Sequence, residues 1–172
     1  MKSRYICMVV VLLMPLFCFS CSPQVYLQKR TNRLVDKLLA KNDSIYVYSI
    51  AFYNYNLAWF HDGNSIQAYM IKPYRTKKYE SIPAEHSTLY SDSIDYFDRS
   101  LDKDVDCFWH MLDGESIELH LKEGVILHSS VDTHCLFNKK FMRGTFPYQL
   151  QYDLFKLGRA PKGYNFEEVY SK

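Results

Sequence analysis

Four groups of residues have types and spacings that could do chemistry. Cys107 and His110 are three residues apart, which sets them on one face of a helix, and His134-Cys135 follow later. Two cysteines and two histidines form a possible zinc set. Asp102, Asp104 and Asp106 have the 1, 3, 5 spacing of an EF-hand calcium loop, and Asp113 falls at position 12. Asp132-Thr133-His134-Cys135 contains the residue types of a Cys–His nucleophile pair. Glu118 and His128 stand in a segment where a strand pairing could bring them together as an acid–base dyad.

The elements that must position these residues argue against each reading. Ile117, Leu119 and Leu121 alternate with Glu118, His120 and Lys122, and the alternation resumes at Val125 and runs through Cys135. Such a period of two predicts a hairpin. A loop of Lys122, Glu123 and Gly124, with Gly124 left-handed, pairs Leu119 with Leu127 and Glu118 with His128, so both apolar sets share one face. Glu118–His128 is then a solvent-face contact. In a strand, His134 and Cys135 leave from opposite faces, which separates both the zinc set and the Cys–His pair. The calcium loop lacks its glycine, because Cys107 stands at position 6. The same stretch makes an amphipathic helix through Val105, Phe108, Trp109 and Leu112, with aspartates in its first turn. With six glycines in the chain, no phosphate-cradling loop is present. The expectation is no catalytic residue, no metal site and no cofactor.

The remaining elements suggest an α+β fold. Ser22-Pro23 starts a helix over residues 24–41, with Leu27, Leu34, Val35, Leu38 and Leu39 on one face. Arg30, Arg33, Lys37 and Lys41 form a separate basic stripe, which a solvated edge explains and which anionic headgroups could also meet. Residues 45–60 read as one strand bent near Asn54 to Asn56, and 65–72 as its return after the turn at His61-Asp62-Gly63-Asn64. Lys72 to Tyr79 reads as a charged edge strand or loop. Short helices are expected through 92–100 and 105–112. Thr145 caps a last helix with Phe146, Leu150, Leu154 and Leu157 inward and Gly158 closing it. The expected architecture is an antiparallel sheet of about four to five strands, covered by helices on one face. Residues 21–172 form one small domain, with a loosely held tail from about residue 159.

The bulk composition fits such a domain. Of 172 residues, 48% are hydrophobic and 23% charged, ordinary values for a folded globular chain. Of the formal charge of +2, Lys2 and Arg4 lie in the N-terminal segment, and the rest of the chain is near neutral. That gives no basis for a nucleic-acid partner.

Met1 to Arg4 is basic, Tyr5 to Phe19 is apolar apart from one proline and two cysteines, and Ser20-Cys21-Ser22 follows. This is the layout of a secretory signal in residues 1–20, too short in its apolar part to span a bilayer comfortably. Small residues of the A-x-A kind are absent, and a small residue immediately precedes a cysteine. The segment resembles the lipobox of bacterial lipoproteins, with Cys18 where that family usually carries Leu, and the following Ser is similar to lipoproteins of the Bacteroidetes. The resemblance covers about 22 residues and is silent on the folded domain. It implies export, cleavage before Cys21 and acylation of Cys21. It further implies a bacterial membrane, the outer one, with the domain in the periplasm or at the cell surface. Two or more acyl chains, at about 0.8 kcal/mol per buried methylene, hold firmly.

Export makes the thiol state of Cys107 and Cys135 a question. Helical phase turns Cys107 away from the Val105/Phe108/Trp109/Leu112 face, and strand alternation puts Cys135 on a buried face. A bridge needs Cα atoms within about 7 Å. Two free thiols are therefore expected, with a Cys107–Cys135 disulfide as the alternative. Aromatics reach 16% of the chain, including 15 Tyr. A continuous strand over 45–60 puts Tyr46, Tyr48 and Phe52 on one face and Tyr53, Tyr55 and Trp59 on the other. One set is core, and the second is either another packing layer or an exposed platform for a sugar or a protein. The functional expectation is a non-catalytic, lipid-anchored envelope accessory or binding protein. Alternatives are a carbohydrate- or peptide-binding lipoprotein that uses the aromatic face, and an envelope hydrolase with an unrecognised site.

Overall fold

The first helix, α1, spans Pro23–Leu39 and buries Leu27, Thr31 and Val35 along one stripe. Leu34, Leu38 and Leu39 pack partly buried beside them. The side chain of Asn42 closes the helix, its Nδ2 donating to the Leu38 carbonyl at 2.8 Å. The computed structural model describes residues 23–50, 53–84, 107 and 114–171. The signal segment with Cys21, the short helices expected over 92–100 and 105–112, Phe52, His110 and the aspartates at 102, 104, 106 and 113 lie outside the described residues.

The fold is α+β, and the described residues form four helices and seven strands, more strands than expected. The strands are β1 (Ser44–Ile50), β2 (Asn56–Asp62), β3 (Ser65–Ile71), β4 (Thr76–Lys78), β5 (Ile82–Pro83), β6 (Glu115–Leu121) and β7 (Ile126–Val131). They form one sheet in the order β4-β3-β2-β1-β6-β7, with β5 also paired to β3. Every pairing is antiparallel. Part of the excess has a simple cause. The segment 45–60 is two strands, because the chain reverses between Ile50 and Asn56, starting with a turn in which Tyr53 N donates to the Ile50 carbonyl. Tyr46 then faces Trp59 and Tyr48 faces Leu57 across the β1–β2 pair. The aromatic assignment changes accordingly: Trp59 lies on the same sheet face as Tyr46 and Tyr48, not the opposite one.

The β6–β7 hairpin has the register that its alternation requires. Glu118 is opposite His128 and Leu119 opposite Leu127. Leu121 N donates to the Val125 carbonyl at 2.9 Å, and Gly124 turns the corner at φ 81°. The strand does not continue to Cys135, however. It ends at Val131, and Asp132 caps helix α2 (Thr133–Asn138), its carboxylate accepting from Cys135 N at 3.1 Å. The local cap overrides the alternation.

Two further helices follow α2: α3 (Phe146–Lys156) and α4 (Phe166–Tyr170). Helices cover both faces of the sheet, not one. Helix α1 packs over Ile45, Val47, Ala58, Phe60 and Ile71. The three C-terminal helices bury Tyr46, Tyr48, Leu57, Trp59, Ile117 and Leu119 on the other face. Phe146, Leu150, Leu154 and Leu157 are buried as their spacing demands, and Gly158 follows at φ 70°. The tail is held rather than loose. Phe166 and Tyr170 are buried. Tyr170 Oη donates to Gln151 Oε1 at 2.6 Å and accepts from Phe141 N at 2.9 Å.

Candidate functional site

Asp153 on α3 is a buried carboxylate with three side-chain partners. Its side chain is 3% exposed. Oδ2 accepts from Trp59 Nε1 at 2.9 Å and meets His61 Nε2 at 2.8 Å, while Oδ1 accepts from Gln149 Nε2 at 2.7 Å. Three elements of physical logic place it there. Strand alternation sends Trp59 and His61 to one face of β2. Helical spacing stacks Gln149 and Asp153 on one face of α3. Burial on nearly all sides of α3 forces its polar residues to find partners inside the protein. A carboxylate accepts every bond it makes, so His61 Nε2 is the donor in its contact with Asp153. Nδ1 is buried and has no hydrogen-bond partner among the described residues. The same carboxylate–imidazole arrangement occurs both as a structural pair in protein cores and as the orienting half of acid–base dyads. No hydroxyl or thiol is within hydrogen-bonding reach of Nδ1 among the described residues.

A second titratable cluster lies on the α1 face. Glu118 Oε2 is 2.8 Å from His120 Nε2, and Oε1 is 3.7 Å from His128 Nδ1. The hydrogen bond from His120 holds the Glu118 carboxyl below its ordinary range; burial opposes this, and the charges of His120 and His128 reinforce it. The pairing with His128 is thus present as the register requires, but the shorter contact is to His120, two residues along the same strand. Elsewhere, burial and the adjacent Glu115 push the Tyr48 hydroxyl well above the usual tyrosine range. Burial also raises Tyr164 to about 12.

The cysteines are joined. Cys107 and Cys135 form a disulfide with Cα atoms 5.2 Å apart, and Asp132 N donates to the Cys107 carbonyl at 2.7 Å. The expectation of two free thiols rested on a strand through Cys135, and the α2 cap removes that strand. A bridged pair also takes both thiolates out of the zinc set. His134 is on the exposed side of α2. Among the described residues, no group of three or more His, Cys, Asp or Glu side chains is placed to hold a metal ion.

Of the aromatic residues proposed as a platform, Tyr46, Tyr48 and Trp59 are buried in the core, and Trp59 stacks on Tyr46 at 5.4 Å between ring centres. Tyr53 is exposed, edge-on to the half-buried Tyr55. A second exposed aromatic pair was not foreseen: Tyr26 on α1 and Tyr74 in the β3–β4 turn, 6.0 Å apart. Tyr26 also lines a cleft of about 280 Å³ between α1 and that turn, together with Lys29, Arg30, Arg33, Leu34, Pro73 and Thr76. Arg30 Nε donates to the Pro73 carbonyl at 3.0 Å and fixes the turn against the helix. The alternating basic and tyrosine residues of 72–79 and the basic stripe of α1 were both visible in sequence. Their meeting depends on the β3–β4 pairing.

Comparison with protein-family models, curated protein sequences and solved structures finds no match for this chain. Among the described residues, no helix is long and apolar enough to cross a membrane.

Proposed function

We propose that this chain is a lipid-anchored protein of the bacterial envelope, held by acyl groups on Cys21, and that it acts without catalysis through contacts made by its surface. The observation that carries the reading is the Ser20-Cys21 junction, which closes an apolar run, with Cys21 two residues before the first helix begins at Pro23. Acylation there sets the domain directly at the membrane. The described titratable groups add support. The Asp153 carboxylate is occupied by three donors within the core, and Glu118 by histidines of its own sheet. The partner is a protein or a glycan, and nucleic acid is not expected of a near-neutral domain.

The test is mass spectrometry of the chain purified from bacterial membranes. The expected N-terminus is an acylated Cys21. A Cys21→Ser variant should leave the membrane fraction. An intact Met1, or an unmodified Cys21, would overturn the reading.

The aromatic-platform alternative loses support where Tyr46, Tyr48 and Trp59 are buried, and among the described residues of its original set it keeps Tyr53 and Tyr55. The hydrolase alternative has one specific observation in its favour, the buried, unpartnered Nδ1 of His61 beside Asp153. If it holds, a His61→Gln variant would lose hydrolysis of a chromogenic ester while keeping its fold.

A further inference from the structure

The cleft between α1 and the β3–β4 turn joins two segments of one charge sign. Residues 23–35 contain Lys29, Arg30 and Arg33 and no acid, and residues 72–79 contain Lys72, Arg75, Lys77 and Lys78 and no acid. Strand order brings them together, because β4 is the edge strand that follows the turn and α1 lies across the same sheet face. Lys78 is on that face, its ammonium 5.9 Å from the Tyr69 ring, and Tyr69 packs against the α1 cluster. Lys29 and Arg33 are exposed on the helix.

The apolar component is exposed at the same end. Val25, Tyr26 and Tyr74 are 58%, 46% and 74% exposed, among the few large hydrophobic side chains left open in the described surface. Aromatic rings with polar tips beside lysines and arginines match the boundary between headgroups and acyl chains. Residues 21–172 are near neutral as a whole, so this local concentration of cations leaves the rest of the domain net acidic and sets the cleft apart from it.

We infer that the Tyr26/Tyr74 edge and the basic cleft behind it dock on anionic lipid headgroups, fixing the orientation of the domain on the membrane. The inference rests on the anchored reading, because Cys21 is two residues before Pro23 and so within about 7 Å of chain from the helix start. An acyl group at that point brings the first turns of α1 to headgroup level. The cations of the cleft then face phosphates at high local concentration, and lipidation with a polybasic patch is the two-signal arrangement that gives stable attachment. The length of the arginine and lysine stems lets the rings enter the interface while the charges stay at the phosphates.

The test is lysine acylation footprinting of the full chain purified from bacterial membranes. The chain is placed on neutral phosphatidylcholine vesicles or on vesicles with 30% phosphatidylglycerol. Lys29, Lys72 and Lys78 are expected to react at least about threefold more slowly on the anionic vesicles, with Lys122 and Lys162 unchanged. Half-molar salt should abolish the difference, because headgroup attraction is screened. A full-chain Lys29→Glu/Arg33→Glu variant should show no protection at Lys72 and Lys78; both substitutions are at exposed positions, and circular dichroism checks the fold. Equal rates on the two vesicles, equal slowing at all lysines, or protection retained by the variant would overturn the inference. Protection on neutral vesicles by millimolar inorganic phosphate alone would also overturn it, and would assign the cleft to a free anion. Mass spectrometry at Cys21 decides the anchor separately, so the two failures are distinguishable.

Discussion

Trp59 and Asp153 are 94 residues apart in sequence, and the indole Nε1 donates to the carboxylate Oδ2 at 2.9 Å across the centre of the core. His61 and Gln149 complete the ring of donors. Removing the acceptor leaves all three donors without this partner inside the core. Asp153→Ala is therefore expected to destabilise the fold by about 3 kcal/mol, read as a lower urea midpoint. Asp153→Asn keeps an acceptor and should cost less than half of that. Equal stability of all three proteins would show that the network contributes nothing net.

That network also marks a limit of what the sequence discloses. Trp59 and Asp153 are on elements whose own patterns are legible, a strand of alternating residues and a helix with four apolar residues at helical spacing. Nothing in either pattern says that β2 will lie beneath α3. The hairpin at Gly124 was legible in full, because its register follows from two short periodic runs and one glycine. The segment 45–60 was legible only as strand-forming. Asn54 to Asn56 marks both a bend and a reversal, and the choice between them assigns Trp59 to one face or the other. The β7 end failed differently: alternation runs on through Cys135, but Asp132 captures Cys135 N and starts a helix.

The disulfide follows from that cap. Cys107 and Cys135 close a loop of 28 residues, and a loop of that length is expected to contribute about 3–4 kcal/mol through the unfolded state. The Cys107→Ser/Cys135→Ser variant should lose roughly that much, seen as a shift in the urea midpoint under non-reducing conditions. Thiol counting on the denatured, unreduced wild-type chain should find neither of these two residues reactive. A reactive Cys107 or Cys135 would contradict the bridge.

Glu118 gives a pH dependence with a definite sign. Its carboxyl is held below the ordinary value of 4.5, first by the hydrogen bond from His120. A group whose folded value is depressed contributes stability that is present above its unfolded value and lost as pH falls through the folded one. The stability gap between wild type and Glu118→Gln should therefore be full above about pH 5 and shrink below 4.5. Urea midpoints measured from pH 7 down to pH 3 check this. A gap that widens on acidification would mean that the carboxylate is not the stabilised form.

The tail offers the last test, because composition and the structure disagree about it. Pro161 and Gly163 suggest a chain end with little to hold it. Tyr170 reverses that expectation through two kinds of contact. Its ring packs edge-on against Tyr148 at 4.8 Å and lies 4.5 Å from the Phe166 ring. Its hydroxyl joins Gln151 to the Phe141 backbone, and Gln151 Nε2 in turn donates to the carbonyls of Leu136 and Lys139. The tail thus closes α2 and α3 around a buried amide. Tyr170→Phe keeps the ring and removes the hydroxyl, leaving Phe141 N and Gln151 Oε1 without that partner, and should cost about 1–2 kcal/mol. Tyr170→Ala removes the packing as well and should cost about 3–5 kcal/mol. The difference between the two urea midpoints separates packing from hydrogen bonding. If both variants were as stable as wild type, the last helix would be an ornament of the fold and not a clasp on it.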